Sequence, residues 1–331
     1  MIEEGFGMVP AVFQSMSLHP DLLEPLAQFV KLKDGPAACR CLNSSTGVSC
    51  RSIENCPTTG KAGGRTMNQE NTDIFEDVIE GGPYPIRFPR HRDLDQDEEW
   101  CEVKYDEAWH RVRFHDYRDV YTIPGLYETI FYRTLRCNSP NRVVGLLEDV
   151  LNEHGFPPEE LRVLDLGAGN GMVGEVLQNL GTRQIVGTDI IPEAKTATER
   201  DRPWVYNDYY VADFTDLPAD LERTLRDWDF NALTVVAALG YGDIPARAFL
   251  NAFNLIRDGG WIAFNIKEDF LRDEQKPGFS GLLNRLTRRD IIQMEAYKRY
   301  CHRLNIAGEP LHYIAAAARK IQDIPEAMIK D

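Results

Sequence analysis

Val163-Leu164-Asp165-Leu166-Gly167-Ala168-Gly169-Asn170-Gly171 is the stretch that decides the fold. Apolar positions around an acid run into three alternating glycines, and an amphipathic run from Met172 to Leu180 follows. The pattern predicts a buried strand, a tight turn and a helix that begins at the turn. Glycines let the backbone pass close to a ligand where a side chain would collide. The helix start offers N–H groups and positive potential to an anionic group. Such a turn suits a nucleotide-like cofactor.

Two cofactors fit the glycines. Gly169-Asn170-Gly171-Met172-Val173-Gly174 matches G-x-G-x-x-G, and Asp189 follows at about the spacing of a ribose-binding acid. The acid that opens Asp165-x-Gly167-x-Gly169-x-Gly171 points the other way. It repels a pyrophosphate and can accept a hydrogen bond from the ammonium of a methionine moiety. This pattern resembles motif I of the class I S-adenosylmethionine-dependent methyltransferases, and the resemblance runs from about residue 116 to residue 320. It implies an α/β fold: a Rossmann-like sheet with a terminal antiparallel hairpin, S-adenosylmethionine as cofactor, and an N-terminal extension.

Strand and helix patterns alternate from Leu161 onward. Gln184 to Asp189 reads as a second strand ending in an acid, whose two oxygens can accept from both ribose hydroxyls. Ile190 beside it can pack on the adenine. Tyr209 to Phe214 reads as a third strand; the resemblance implies that Asp213 accepts from the adenine amino group and that Phe214 packs near the base. An N-cap or turn role is the alternative for both acids. Gly167, Ala168, Gly169, Gly171 and Ala238 complete the implied cofactor set, with Asp165 on the ammonium.

Ala232 to Gly240 reads as a fourth strand, and Ala238-Leu239-Gly240-Tyr241-Gly242-Asp243 follows where the family carries motif IV. The N/D-P-P-Y of amide-nitrogen and adenine methyltransferases is not there, which speaks against nucleobase and glutamine targets. Trp261 to Ile266 reads as a fifth strand after Asp258-Gly259-Gly260. A helix is predicted over Asp290 to Ala296, then a hairpin of Lys298–Leu304 and Leu311–Ala317.

Methyl transfer to a sulfonium's partner needs alignment more than acid–base chemistry, and a base only if the nucleophile carries a proton. His115, Glu268 and His302 are the candidate bases. Tyr117 and Tyr121, in the stretch ahead of the glycines, and Tyr241 and Lys267, beyond strand ends, are the candidate substrate residues, with Glu268 and Asp269 near them. A helical run is predicted through Leu135, and a helix over Asn141 to Glu153 with Val143, Val144, Leu147, Val150 and Leu151 on one face.

Four segments are expected: a helical piece over 1–35, a linker over 36–72, a cap or lid over 73–153, and a cofactor-binding domain over 154–331. Phe6 to Val12 and Leu18 to Leu23 resemble the opening of the AhpD-like (carboxymuconolactone decarboxylase) family over residues 6–32, without its C-x-x-C. Cys39, Cys41, Cys50 and Cys56 lack zinc spacing and read as thiols without a metal. A functional chain beginning at Met67 is one hypothesis for this mismatch. Within 73–115, a hairpin is predicted with Asp106-Glu107-Ala108 near its turn.

The chain has 331 residues, 43% hydrophobic, with a formal net charge of -15. That acidity argues against a nucleic-acid backbone as partner, and a small-molecule substrate is expected. No apolar run reaches the ~18 residues of a membrane span, and no secretory leader is evident, so a cytoplasmic protein with no membrane partner is expected. Two alternatives remain open: an NAD(P)-binding Rossmann oxidoreductase, for which no Tyr-x-x-x-Lys follows strand four, and a non-catalytic S-adenosylmethionine-binding protein.

Overall fold

The computed structural model describes residues 78–79, 82–91, 93–239, 243–268 and 279–329. The 1–35 and 36–72 segments, the AhpD-like stretch, Met67, and Cys39, Cys41, Cys50 and Cys56 lie outside the described residues, as do Tyr241 and Asp269.

An antiparallel sheet of β1 (Ile86–Arg87), β2 (Trp100–Tyr105) and β3 (Ala108–Arg113) comes first. Tyr105 pairs with Ala108, so Asp106 and Glu107 form a two-residue turn. Both take left-handed backbone, φ 49° and 62°, as the hairpin turn that follows strand twist requires. The predicted helical run divides. Helix α1 (Tyr117–Thr122) stops before Ile123-Pro124-Gly125, where proline restricts its predecessor and Gly125 turns at φ 71°. A π-helix (Glu128–Thr134) follows, then α2 (Ser139–Glu153), which buries the apolar face expected of it.

The remaining chain builds one seven-stranded sheet. Its elements are β4 (Arg162–Leu166), α3 (Met172–Leu180), β5 (Gln184–Asp189), α4 (Pro192–Asp201), β6 (Asp208–Val211), α5 (Ala219–Asp227), β7 (Ala232–Val235), α6 (Ala246–Phe253), β8 (Trp261–Lys267), α7 (Phe279–Arg288), β9 (Ile292–Leu304) and β10 (Pro310–Lys320). The order is β6-β5-β4-β7-β8-β10-β9, parallel up to β8 and antiparallel at β10 and β9. Helices cover both faces, so β4, β7 and β8 are buried along their lengths and read as near-continuous apolar runs.

Two expectations need correction. Asp290 to Ala296 is not a helix: α7 ends at Arg288, and β9 already pairs with β10 at Ile292, opposite Lys320. Ile291, Ile292 and Ala296 are buried there, and pairing with β10 decides the conformation over local preference. The fourth strand is also shorter than Ala232 to Gly240. It ends at Val235 because Ala237 turns left-handed, φ 57°, and donates its N–H to Asn265 Oδ1 at 2.6 Å.

The three-stranded sheet is joined to the terminal hairpin by a buried ion pair. Arg303 Nη2 lies 2.5 Å from Glu99 Oε2, and the Ile306 N–H donates to Glu99 Oε1 at 2.7 Å. The side chains of both charged residues are within a few per cent of full burial.

The β2–β3 turn yields a test. An Asp106→Asn, Glu107→Gly double substitution supplies the residues that left-handed backbone favours, and should raise the unfolding free energy by about 1 kcal/mol. Urea denaturation measures it; an unchanged midpoint would mean that the turn carries no strain.

Candidate functional site

A cavity of about 500 Å³ opens at the carboxyl ends of β4, β5, β6 and β7, where Gly167, Asp189, Ala212 and Val236 stand on its wall. Ligands of open α/β sheets bind at such strand ends, and the volume suits a nucleoside-sized molecule.

The glycine turn forms one side of this cavity. Gly167, Gly169 and Gly171 all have left-handed backbone, φ 72°, 56° and 88°. A Cβ on Gly169 would stand 2.5 Å from the Tyr121 hydroxyl, so only glycine fits beneath that ring. The Gly167 and Ala168 N–H groups both donate to Thr188 O, at 2.9 and 3.0 Å. Asp189 closes the turn: Oδ2 accepts from the Gly169 N–H at 2.9 Å and Oδ1 from the Ile191 N–H at 3.0 Å. Burial pushes the Asp189 carboxyl up from its ordinary range, and these N–H groups pull it partly back. A carboxylate has about four lone-pair sites, so both oxygens keep acceptor capacity toward the cavity.

The cofactor set divides by position. Gly167, Asp189, Ile190, Asp213, Phe214 and Ala238 line the cavity. Ile190 is 60% exposed, at the rim, whereas Phe214 belongs to the core. Asp213 is exposed, and its Oδ1 accepts from the Thr215 N–H and hydroxyl at 2.8 and 2.7 Å; those bonds hold its carboxyl below the usual range. It is thus a turn acid that also faces the cavity.

Asp165, Ala168, Gly169 and Gly171 are not on the cavity wall. Asp165 is 1% exposed within the sheet. Its oxygens accept from the Thr234 and Tyr206 hydroxyls, each at 2.6 Å. Burial pushes its carboxyl up to about 6, against the pull of those hydroxyls. Gly169 O is likewise occupied, by Thr198 Oγ1 and the Tyr209 hydroxyl. Gly171 caps α3, where a Cβ would meet Val205 at 3.0 Å.

Tyr117 and Tyr121 line the cavity, and Tyr127 joins them. The ring centroids of Tyr117 and Tyr121 are 6.1 Å apart and those of Tyr121 and Tyr127 5.2 Å, making an aromatic wall. Burial raises all three hydroxyls, so they act as neutral groups.

A second, inner chamber of about 40 Å³ adjoins this wall. Tyr117, Tyr127, Ala237, Ala238 and Asp243 line both spaces. His115 stands in the chamber with Nδ1 3.7 Å from Asp243 Oδ1. His302 is there too, but buried; its Nδ1 lies 2.5 Å from Ser139 Oγ and its ring 4.1 Å from Tyr313. Burial, with the nearby Arg303 charge, drops its pKa well below the ordinary histidine range.

Glu268 and Lys267 line neither space. Glu268 is 4% exposed and accepts from Arg299 Nε at 2.9 Å, so its carboxylate is committed to the neighbouring hairpin. Lys267 ends β8, in register with Tyr313 of β10. Asp243, Tyr127 and Thr215 are site residues that sequence reasoning passed over. Asp243 closes the motif IV stretch, and Tyr127 follows the Pro124-Gly125 turn; nothing in the local sequence marks either.

A family model described as "Methyltransferase domain" matches residues 140–309. Among solved structures, an S-adenosylmethionine-dependent methyltransferase from Anabaena variabilis is 13% identical, covers 62% of this chain and 91% of its own, and superposes with a TM-score of 0.41. Another from Methanosarcina mazei is 16% identical, covering 52% and 98%, with a TM-score of 0.39. Magnesium protoporphyrin IX methyltransferase from Synechocystis, solved with bound S-adenosylmethionine, is 10% identical, covering 55% and 79%, with a TM-score of 0.38. No curated protein sequence matches.

Asp165 makes the stability of the fold depend on pH. Its carboxyl titrates near 6 when folded against 3.8 ordinarily. The folded state therefore binds the proton more tightly, and this stabilisation is complete below pH 3.8 and lost as pH rises through 6. Asp165→Asn removes the dependence. Between pH 4.5 and 7.5 the wild type should lose roughly 2 kcal/mol more stability than the variant. Parallel profiles in urea denaturation at the two pH values would refute the assignment.

Proposed function

Because the chain belongs to the methyltransferase-domain family, whose model spans just over half of it, we propose that it transfers a methyl group from S-adenosylmethionine to a small-molecule acceptor. S-adenosylmethionine is its cofactor, and family membership disfavours the nicotinamide alternative. When bound, the cofactor supplies a methyl group on a cationic sulfur whose departure leaves a neutral thioether.

The observation that carries the reading is the cavity at the strand ends with Asp189 on its wall. In this proposal the Asp189 carboxylate accepts from the ribose hydroxyls with the lone pairs its backbone bonds leave over. Ile190 and Phe214 flank the base, with Asp213 at its edge. Gly167 lets backbone approach the ligand, and Ala238 stands opposite, its Cβ 3.1 Å from where a Gly167 Cβ would be. Asp165 acts behind the turn, fixing β4 to Thr234 and Tyr206, rather than on the ligand directly. The faces of Tyr117, Tyr121 and Tyr127 favour a cation and exclude water from it.

A small acceptor is favoured over a macromolecule for two reasons. The chain carries a formal net charge of -15, which repels nucleic acid. The space beside the cofactor cavity is about 40 Å³, which accommodates the functional group of a small acceptor. Among the described residues no helix is long and apolar enough to cross a membrane. Residues 73–153 act as the cap over both spaces, since Gln96, His115, Tyr117 and Tyr127 come from it.

Calorimetric titration should find micromolar binding of S-adenosylmethionine and none of NADH or NADPH; the reverse would overturn the cofactor site. Asp189→Ala should weaken the cofactor roughly tenfold to a hundredfold, the cost of a charged hydrogen-bond partner. Incubation with methyl-labelled cofactor and cell extract tests the acceptor. Label in the small-molecule fraction is expected, label in protein or nucleic acid would refute the acceptor class, and absence of transfer would favour a non-catalytic binder.

A further inference from the structure

We infer that the inner chamber is a recognition site for an amine, the polar end of the acceptor; this deepens the methyl-transfer reading and rests on it only for the amine's fate. Gln96 carries the argument. It is 8% exposed, and its Nε2 donates to the Tyr313 hydroxyl at 2.9 Å. Its Oε1 is buried and has no hydrogen-bond partner among the described residues. A buried carbonyl oxygen left without a donor is costly, and native structures rarely tolerate it. Gln96 is one of the residues of the chamber wall, and in this proposal a donor that enters the chamber satisfies its oxygen.

The rest of the wall says what kind of donor. Asp243 offers a carboxylate and His115 an imidazole beside it. Tyr117, Tyr127 and Phe131 offer ring faces, which attract a cation. A hydroxyl donates one hydrogen bond, whereas an ammonium donates up to three; only the latter can serve Gln96 Oε1 and the Asp243 carboxylate together. The cation that faces the chamber, Arg303, is already neutralised by Glu99 at 2.5 Å. His302 is held by Ser139 and kept neutral by burial. The carboxylate on the chamber wall is that of Asp243, with the His115 imidazole 3.7 Å from it.

The same residues account for the proton. An ammonium must shed one proton before its nitrogen has a lone pair to react with. That proton passes to the Asp243 carboxylate, leaving a neutral amine and a carboxylic acid, and His115 at 3.7 Å relays it outward. Because Asp243, Tyr117 and Tyr127 belong to both spaces, the amine is released at the junction with the cofactor cavity. Asp243 and His115 touch the substrate in this scheme, and Gln96 positions it.

Titrating the full chain with n-propylamine and n-propanol, observed by saturation-transfer NMR, tests this without any turnover. The amine should bind at least tenfold more tightly than the alcohol. Gln96→Leu should weaken amine binding roughly tenfold while leaving S-adenosylmethionine affinity unchanged, because Gln96 is off the cofactor cavity. Gln96→Glu, which keeps the shape and adds charge, should tighten it, and this opposite sign decides the matter even if Gln96→Leu fails to fold. Equal binding of amine and alcohol, or amine affinity indifferent to Gln96→Glu, overturns the proposal. Amine binding by a protein that does not bind S-adenosylmethionine would sustain the chamber and sink the cofactor reading instead.

Discussion

The carboxylate of Asp189 is the constraint from which the site follows. It takes the Gly169 N–H on one oxygen and the Ile191 N–H on the other, so a single side chain ties the turn after β4 to the end of β5. The turn can be drawn that close only because three glycines accept left-handed backbone, and because no Cβ stands between Gly169 and the Tyr121 hydroxyl. Burial disfavours the charge on Asp189, and the backbone donors offset that cost. The strand ends are thereby fixed at the spacing that leaves the 500 Å³ cavity between β4, β5 and β7.

A second set of polar contacts joins the N-terminal elements to the seven-stranded sheet. Asn265 sits in the middle of β8 with no exposure, where an apolar side chain would be routine. Its oxygen takes the Ala237 N–H, and its amide donates to the Tyr300 and Ser139 hydroxyls. That accounts for the left-handed turn at Ala237, which ends β7 early and opens the junction between the two spaces. Ser139 carries the network on to His302, and Glu99 with Arg303 carries the cap. Buried networks of this kind gain little over apolar packing but are expensive to break, ~3–5 kcal/mol for a half-removed ion pair.

The sequence shows this architecture where its pattern is local. Val163 to Gly171, with the acid at Asp189, marks the strand–turn–helix and the strand that follows, and Asp106-Glu107 falls at the hairpin turn. It misleads where distant pairing decides. Ile292 becomes strand because Lys320 lies opposite, and nothing within Asp290 to Ala296 announces that. Glu268 reads as a candidate base until Arg299 reaches it from β9, the outer strand of the terminal hairpin, and Asp165 reads as a ligand-facing acid until the fold buries it off the cavity wall against Tyr206 and Thr234. Asp243 and Gln96 illustrate the converse. Each is unremarkable in sequence and acquires meaning only from the chamber that β9, β10 and the cap enclose together.

The Glu99–Arg303 pair also sets an order of events. The two residues are 204 positions apart, and Arg303 lies on one of the last two strands. On a ribosome the cap sheet is complete long before its counterion has been made. Through that interval Glu99 must stay hydrated, so its burial is a late, long-range step of the slow kind that high contact order brings. A nascent chain thus carries an open cap and an unfinished sheet until the final hairpin docks. Translation arrested before β9 would leave a product whose apolar three-stranded sheet is open to chaperones and proteases, and with it a second chamber that does not yet exist.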